Sequence, residues 1–189
     1  MKLILASGSK NRIQALTYAR ILFESVPAAI DEKSIRHDSI QEQVIAIAQA
    51  KVDKISQTHK GLILGADGTN IVDGVAFEKP ESREEAIEMI QKQIGKVSEF
   101  VTGFYLKNTE TDTSYSGVGH STYTFRDLTR SEIEEYVDNE PVETWAAAFS
   151  PINSSALRFV EFISGSLSNY CYSMPFEELI PLFKKEKVL

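Results

Sequence analysis

Leu3-Ile4-Leu5-Ala6-Ser7-Gly8-Ser9-Lys10-Asn11-Arg12 opens with four apolar residues, breaks at a polar turn and runs on into a helical pattern. A short run that is apolar throughout, without alternation, is what a strand buried on both faces looks like, and helices must cover such a strand. The stretch therefore predicts a strand at 3–6 and a helix over about 10–19. Working outward, strands are expected at 21–26 and 62–66. A hairpin is expected over 71–77 about Asp73-Gly74, the strongest short turn signal in the chain. Strands at 99–106, 114–125 and 157–163 follow. In the second of these, Tyr115, Gly117, Gly119, Ser121, Tyr123 and Phe125 share one face. Helices are predicted over 40–55, 83–93, 129–137 and 176–185. Ser39/Glu42, Ser82/Glu85 and Thr129/Glu132 read as capping boxes at three of their starts. Strands mixed with helices in this way indicate an α/β chain built on a mixed sheet.

The chain has 189 residues, enough for one well-buried core, and no repeat, low-complexity tract or linker divides it, so residues 1–189 read as a single domain. A net charge of −7 argues against nucleic-acid binding, which needs clustered cations. The single cysteine, Cys171, excludes an intrachain disulfide and suggests a reducing compartment. The opening apolar run is too short for a signal or a membrane span, and none later is longer. A soluble cytoplasmic protein without a membrane partner is expected. His37, His59 and His120 are too scattered in sequence to suggest a zinc site.

Three places could carry chemistry. The Ser7-Gly8-Ser9 turn meets the N-terminus of a helix, where free backbone amides and the dipole favour an anion. Lys10 and Arg12 make electrostatic sense there if an anion binds between them, although solvated cations beside a plain Ser cap would look the same. Asp67 stands at the end of the apolar strand Leu62-Ile63-Leu64-Gly65-Ala66, where α/β sheets tend to place ligands; it could hold a divalent metal or take a proton, or simply shape a turn. Lys51 lies within the apolar stripe of its helix, marked by Ile40, Val44, Ile47, Ala48 and Ile55. It must either snorkel to water or find an anion. Lys79 and the pair Asp31-Glu32 complete the polar set. Asp67-Gly68-Thr69 also looks like the tail of the Asp-x-Asp-Gly-Thr motif of haloacid-dehalogenase-type phosphatases, but Gly65 stands where the nucleophile is needed.

Taken in order, the chain resembles the Maf family of nucleoside triphosphate pyrophosphatases. The likeness runs through Leu3–Ser9 with Arg12, Asp31-Glu32, Ala48-Gln49-Ala50-Lys51, Gly65-Ala66-Asp67 and Glu78-Lys79-Pro80. It continues through Val101-Thr102-Gly103, Phe125–Thr129, Glu132-Ile133, Tyr136-Val137, Gly165-Ser166 and Met174-Pro175, so it spans nearly the whole chain. The resemblance implies an elongated mixed β-sheet with flanking helices and two lobes around a central cleft. It further implies hydrolysis of a nucleoside triphosphate to a monophosphate and pyrophosphate with Mg²⁺ or Mn²⁺, and a possible homodimer. Asp67 would ready the water and, with Glu32, hold the metal. Arg12, Lys51 and Lys79 would neutralise the triphosphate. Ser7, Gly8, Ser9 and Lys10 would cradle phosphate. The chain departs from the pattern at Lys10-Asn11, at Gly68-Thr69-Asn70 and over Thr144–Asn153, where no counterpart of the family's lysine and Gln/Glu stands. The departures leave the base open and keep an alternative alive: a weakly active or inactive nucleotide-binding regulator of cell division. Trp145 and Phe149 could stack on a base or pack in the core.

Overall fold

The computed structural model describes residues 2–152 and 154–189, so Asn153, the last residue of the altered stretch, lies outside the described residues. The elements in order are β1 (Leu3–Leu5), α1 (Lys10–Tyr18), β2 (Phe23–Ser25), α2 (Ile40–Ser56), β3 (Leu62–Val72), β4 (Val75–Phe77) and α3 (Arg83–Gln93). Then come β5 (Val97–Asn108), β6 (Thr113–Phe125), α4 (Arg130–Asn139), β7 (Val160–Gly165), α5 (Leu167–Tyr172) and α6 (Phe176–Lys185). Among the described residues seven strands form one sheet in the order β2-β1-β3-β5-β6-β7, with β4 paired to β3. β1 runs parallel to β2 and β3, whereas β3–β4 and β6–β7 are antiparallel, so the sheet is mixed, as expected. No helix among the described residues is long and apolar enough to cross a membrane.

The chain forms two compact units. The first comprises residues up to Gly68, Val101–Gly119 and Tyr172–Leu189; the second comprises Thr69–Phe100 and His120–Cys171. In the first unit, period-two alternation sorts the strands. Leu3, Leu5, Leu62, Leu64 and Ala66 join one core with Leu16 of α1 and Leu179 and Phe183 of α6. Ile4, Ala6 and Ile63 point the other way and pack with Val52 and Ile55 of α2. In the second unit, Phe125, Tyr136, Phe149 and Phe159 interlock, with Tyr136 edge-on to Phe159 at 4.9 Å.

The structure corrects four local expectations. Asp67 does not end its strand. β3 continues to Val72, because the Asp73-Gly74 turn pairs Asn70 with Phe77 and holds the chain extended. The strand expected at 21–26 shrinks to Phe23–Ser25. Arg20 enters the left-handed region (φ 54°) and the Ile21 amide caps the Leu16 carbonyl at 3.0 Å, so Ile21 closes the helix. The strand expected at 157–163 begins only at Val160. Ser154 Oγ accepts the Ala156 amide at 3.1 Å and tightens Ser155–Phe159 into a 3-10 turn. Only Thr129–Glu132 closes a reciprocal capping box among the described residues. Ser39 and Ser82 take the amides of Glu42 and Glu85, but Glu85 returns its carboxylate to the Glu81 amide instead.

Candidate active site

β3 carries Ile63, Gly65 and Asp67 on the face turned to α2. A Cβ built on Gly65 would stand 2.2 Å from the Ala48 carbonyl oxygen, and one on Gly103 would stand 2.5 Å from the Val44–Ile45 backbone. No larger residue fits at either position, and the missing side chains let α2 lie directly on β3 and β5. One turn beyond Ala48, Lys51 is thereby brought to Asp67.

Lys51 is buried at 6% exposure, so it does not snorkel. Its Nζ donates to Asp67 Oδ1 at 2.8 Å and to the Ala66 carbonyl at 3.3 Å, and it pairs with Glu32 Oε1 at 3.0 Å. An ammonium has three donors, and here each has an oxygen. Glu32 opens a 3-10 turn, Glu32–Ser34, and is half exposed; Asp67 is mostly covered. Two carboxylates thus converge on one buried cation. Among the described residues no cluster of three or more His, Cys, Asp or Glu side chains forms a metal cage. Two hard carboxylates do suit Mg²⁺, which is commonly held by one or two carboxylates together with water and substrate phosphates.

Arg12 is also buried, at 8% exposure. Its NH1 donates to Ser7 Oγ at 3.3 Å, its NH2 to Ser173 Oγ at 2.9 Å and its Nε to the Ser173 carbonyl at 3.4 Å. Burial pushes its pKa down, opposed by the Asp67 and Glu32 carboxylates. Ser7 Oγ also accepts the Ser9 amide at 3.2 Å, and the Ser9 side chain caps nothing, so the turn is shaped by Ser7 rather than by a plain Ser cap. Gly8 and Lys10 are exposed. Ser7, Arg12, Glu32, Lys51 and Asp67 all belong to the first unit; Lys79 is an exposed residue of the second. Ser173 and its neighbour Thr102, bonded through their hydroxyls at 3.0 Å, do not stand out in the sequence as site residues.

The second unit contains a different polar cluster, also unmarked by any motif. Asn70 Nδ2, Gln93 Nε2 and Tyr136 OH donate to the carbonyls of Ala146, Ala147 and Ala148 at 3.2, 3.2 and 3.0 Å. Tyr123 OH lies 2.9 Å from Asn70 Oδ1 and 2.8 Å from Gln93 Oε1, and burial pushes its pKa up, so it remains a donor. Ala147 and Ala148 are both left-handed, at φ 57° and 56°, a conformation alanine adopts only when its surroundings impose it. Phe149 stacks on Tyr123 at 5.4 Å and is core; Trp145 is half-buried against the same cluster.

A 7-methyl-GTP pyrophosphatase of Vibrio vulnificus is 29% identical over 98% of this chain and 95% of its own length. A dTTP/UTP pyrophosphatase of Bacillus cytotoxicus is 35% identical over 87% of this chain and 85% of its own. Among solved structures, a HAM1 protein from Coxiella burnetii shares the fold with a TM-score of 0.53 at 15% identity, covering 98% of this chain and 99% of that one. The sequence matches the family described as Maf-like protein over residues 2–185, and the chain belongs to that family.

Proposed function

We propose that the protein is a nucleoside triphosphate pyrophosphatase, cleaving its substrate to a nucleoside monophosphate and pyrophosphate. The observation that carries this reading is Lys51, buried between Asp67 and Glu32. A buried ammonium shared by two carboxylates is a costly arrangement for a fold to keep for stability alone. In the reaction, Asp67 takes a proton from water as the water oxygen bonds to the α phosphorus. The bond from that phosphorus to the oxygen bridging the α and β phosphates breaks, and pyrophosphate leaves. Arg12, Lys51 and Lys79 neutralise the charge gathering on the phosphate oxygens, the main demand of phosphoryl transfer. Ser7, Gly8, Ser9 and Lys10 receive the phosphate chain at the start of α1, whose unpaired amides favour an anion. Glu32 and Asp67 would hold a divalent cation such as Mg²⁺ or Mn²⁺, whose positive charge would stabilise the phosphate oxygens.

The names of the two relatives suggest a methylated purine or a pyrimidine triphosphate as substrate. A homodimer belongs to the same reading, and sedimentation of the purified chain tests it. The decisive assay is phosphate release from a panel of standard and modified nucleoside triphosphates with Mg²⁺ or Mn²⁺, run with and without added inorganic pyrophosphatase. Phosphate appearing only with the helper enzyme is the expected result and names the base. Phosphate released without it, or silence across the panel, overturns the proposal.

A further inference from the structure

Arg12 is a buried guanidinium whose hydrogen-bond acceptors are all neutral: Ser7 Oγ, Ser173 Oγ and the Ser173 carbonyl. A buried arginine kept for stability alone is usually paired directly with a carboxylate. Guanidinium has five N–H donors; among the described residues three are engaged, which leaves two, one on NH1 and one on NH2. One N–H on each terminal nitrogen is what a guanidinium fork offers two oxygens of a phosphate. Its direction is set from the other side, where Ser173 holds both the Nε and NH2 edges through two atoms of a single residue.

Ser173 reaches this position at a conformational cost. Its φ is 54°, in the left-handed region that serine seldom occupies, between the end of α5 and the Met174-Pro175 step into α6. The left-handed turn presents its carbonyl and its hydroxyl together. Fully buried Thr102 on β5 fixes the hydroxyl through the 3.0 Å contact. Strain at a residue that touches a functional cation is the pattern expected where orientation matters more than stability.

We propose that Ser173, held by Thr102, is the positioning residue of Arg12, turning the free N–H pair of its guanidinium toward the substrate's polyphosphate. The inference rests on the pyrophosphatase reading for its substrate, but its geometry stands on the first unit alone. It sets stability and function in opposition. Ser173→Gly removes the hydroxyl and also relieves the backbone, so its thermal midpoint should rise or hold while kcat/KM falls about tenfold, the worth of one hydrogen bond to a charged group. Thr102→Val should cause a smaller loss of the same kind, and Thr102→Ser should restore it.

The test measures thermal midpoint, kcat/KM and the affinity for inorganic tripolyphosphate in wild type, Ser173→Gly, Arg12→Lys and the double variant. The expected result is a loss in Ser173→Gly that vanishes when Arg12 is already lysine, since the two residues act as one. Retention of both affinity and turnover within about twofold in Ser173→Gly, or an undiminished loss in the Arg12→Lys background, overturns the positioning role. Wild type that binds tripolyphosphate without cleaving any nucleotide would instead overturn the pyrophosphatase reading, and the binding cycle would still decide the case for Ser173.

Discussion

Lys51 in the first unit and Tyr123 in the second are both buried polar side chains with several partners, yet they are held by different physics. Around Lys51 two of the three partners are carboxylates, partly open to solvent, with Glu32 at 48% side-chain exposure. Around Tyr123 they are the neutral side-chain amides of Asn70 and Gln93, at 4% and 0% exposure, which in turn bond backbone carbonyls. A charged cluster can exchange one ionic partner for another, which the proposed polyphosphate site requires. The neutral cluster has nothing to exchange; its donors and acceptors answer one another, and a missing member leaves a buried group without a partner. On the proposed function, one region is built to react and the other to hold a shape.

The largest expected effect tests the reactive side. Asp67→Asn keeps the volume and removes the charge, so kcat should fall roughly 10²–10⁴-fold with little change in thermal midpoint. A loss of stability as large as the loss of rate would erase the distinction between the two regions. Gly65→Ala asks whether the charged cluster depends on how α2 is seated. With the new methyl 2.2 Å from the Ala48 carbonyl oxygen, denaturant unfolding should show a loss of about 3 kcal/mol, and turnover should fall with it. Retained activity in a folded variant would mean that Lys51 finds Asp67 without that contact.

Tyr123→Phe sharpens the other side. It removes the single hydroxyl hydrogen that Asn70 Oδ1 and Gln93 Oε1 share, and should cost about 2 kcal/mol in chemical denaturation while kcat per folded molecule is kept. The smallest effect separates the regions by pH. Glu132, whose carboxylate takes Arg126 and the Thr129 amide and hydroxyl, is drawn down to about 2 from an ordinary 4.5. A carboxylate whose folded pKa is depressed contributes stability that is complete above the unfolded value and lost as pH falls through the folded one. The thermal midpoint should accordingly decline between pH 4.5 and about 2, and Glu132→Gln should flatten that part of the curve. An unchanged slope in that variant would show that other carboxylates carry the acid response.

The two regions also differed in how far they could be read in advance. Lys51 betrayed itself as a charge inside an apolar helical stripe, and Asp67 by following five apolar residues. Both signals are local periodicity, which a sequence carries openly. The full length of β3 is not legible in the sequence because its second half is held by the hairpin rather than by its own hydrophobicity. Asn70 reads as a departure from a pattern; its amide is in fact half of the bond to Ala146, within a second departing segment, 76 residues away. Ser173 reaches Arg12 across 161 residues, and serine carries no preference for a left-handed backbone that would have flagged it. Contacts that rest on one hydrogen bond over long sequence separation leave no periodic trace.

The seat made by Gly65 has a consequence for how this strand can change over evolution. Gly65 and Asp67 share a face only because they stand two positions apart on one strand, so inserting or deleting one residue between Ile63 and Asp67 would turn the carboxylate away from α2. The segment should tolerate conservative exchanges at Leu62 or Leu64 far better than any change in its length. In a library of insertions and deletions it should be one of the emptiest stretches of the chain.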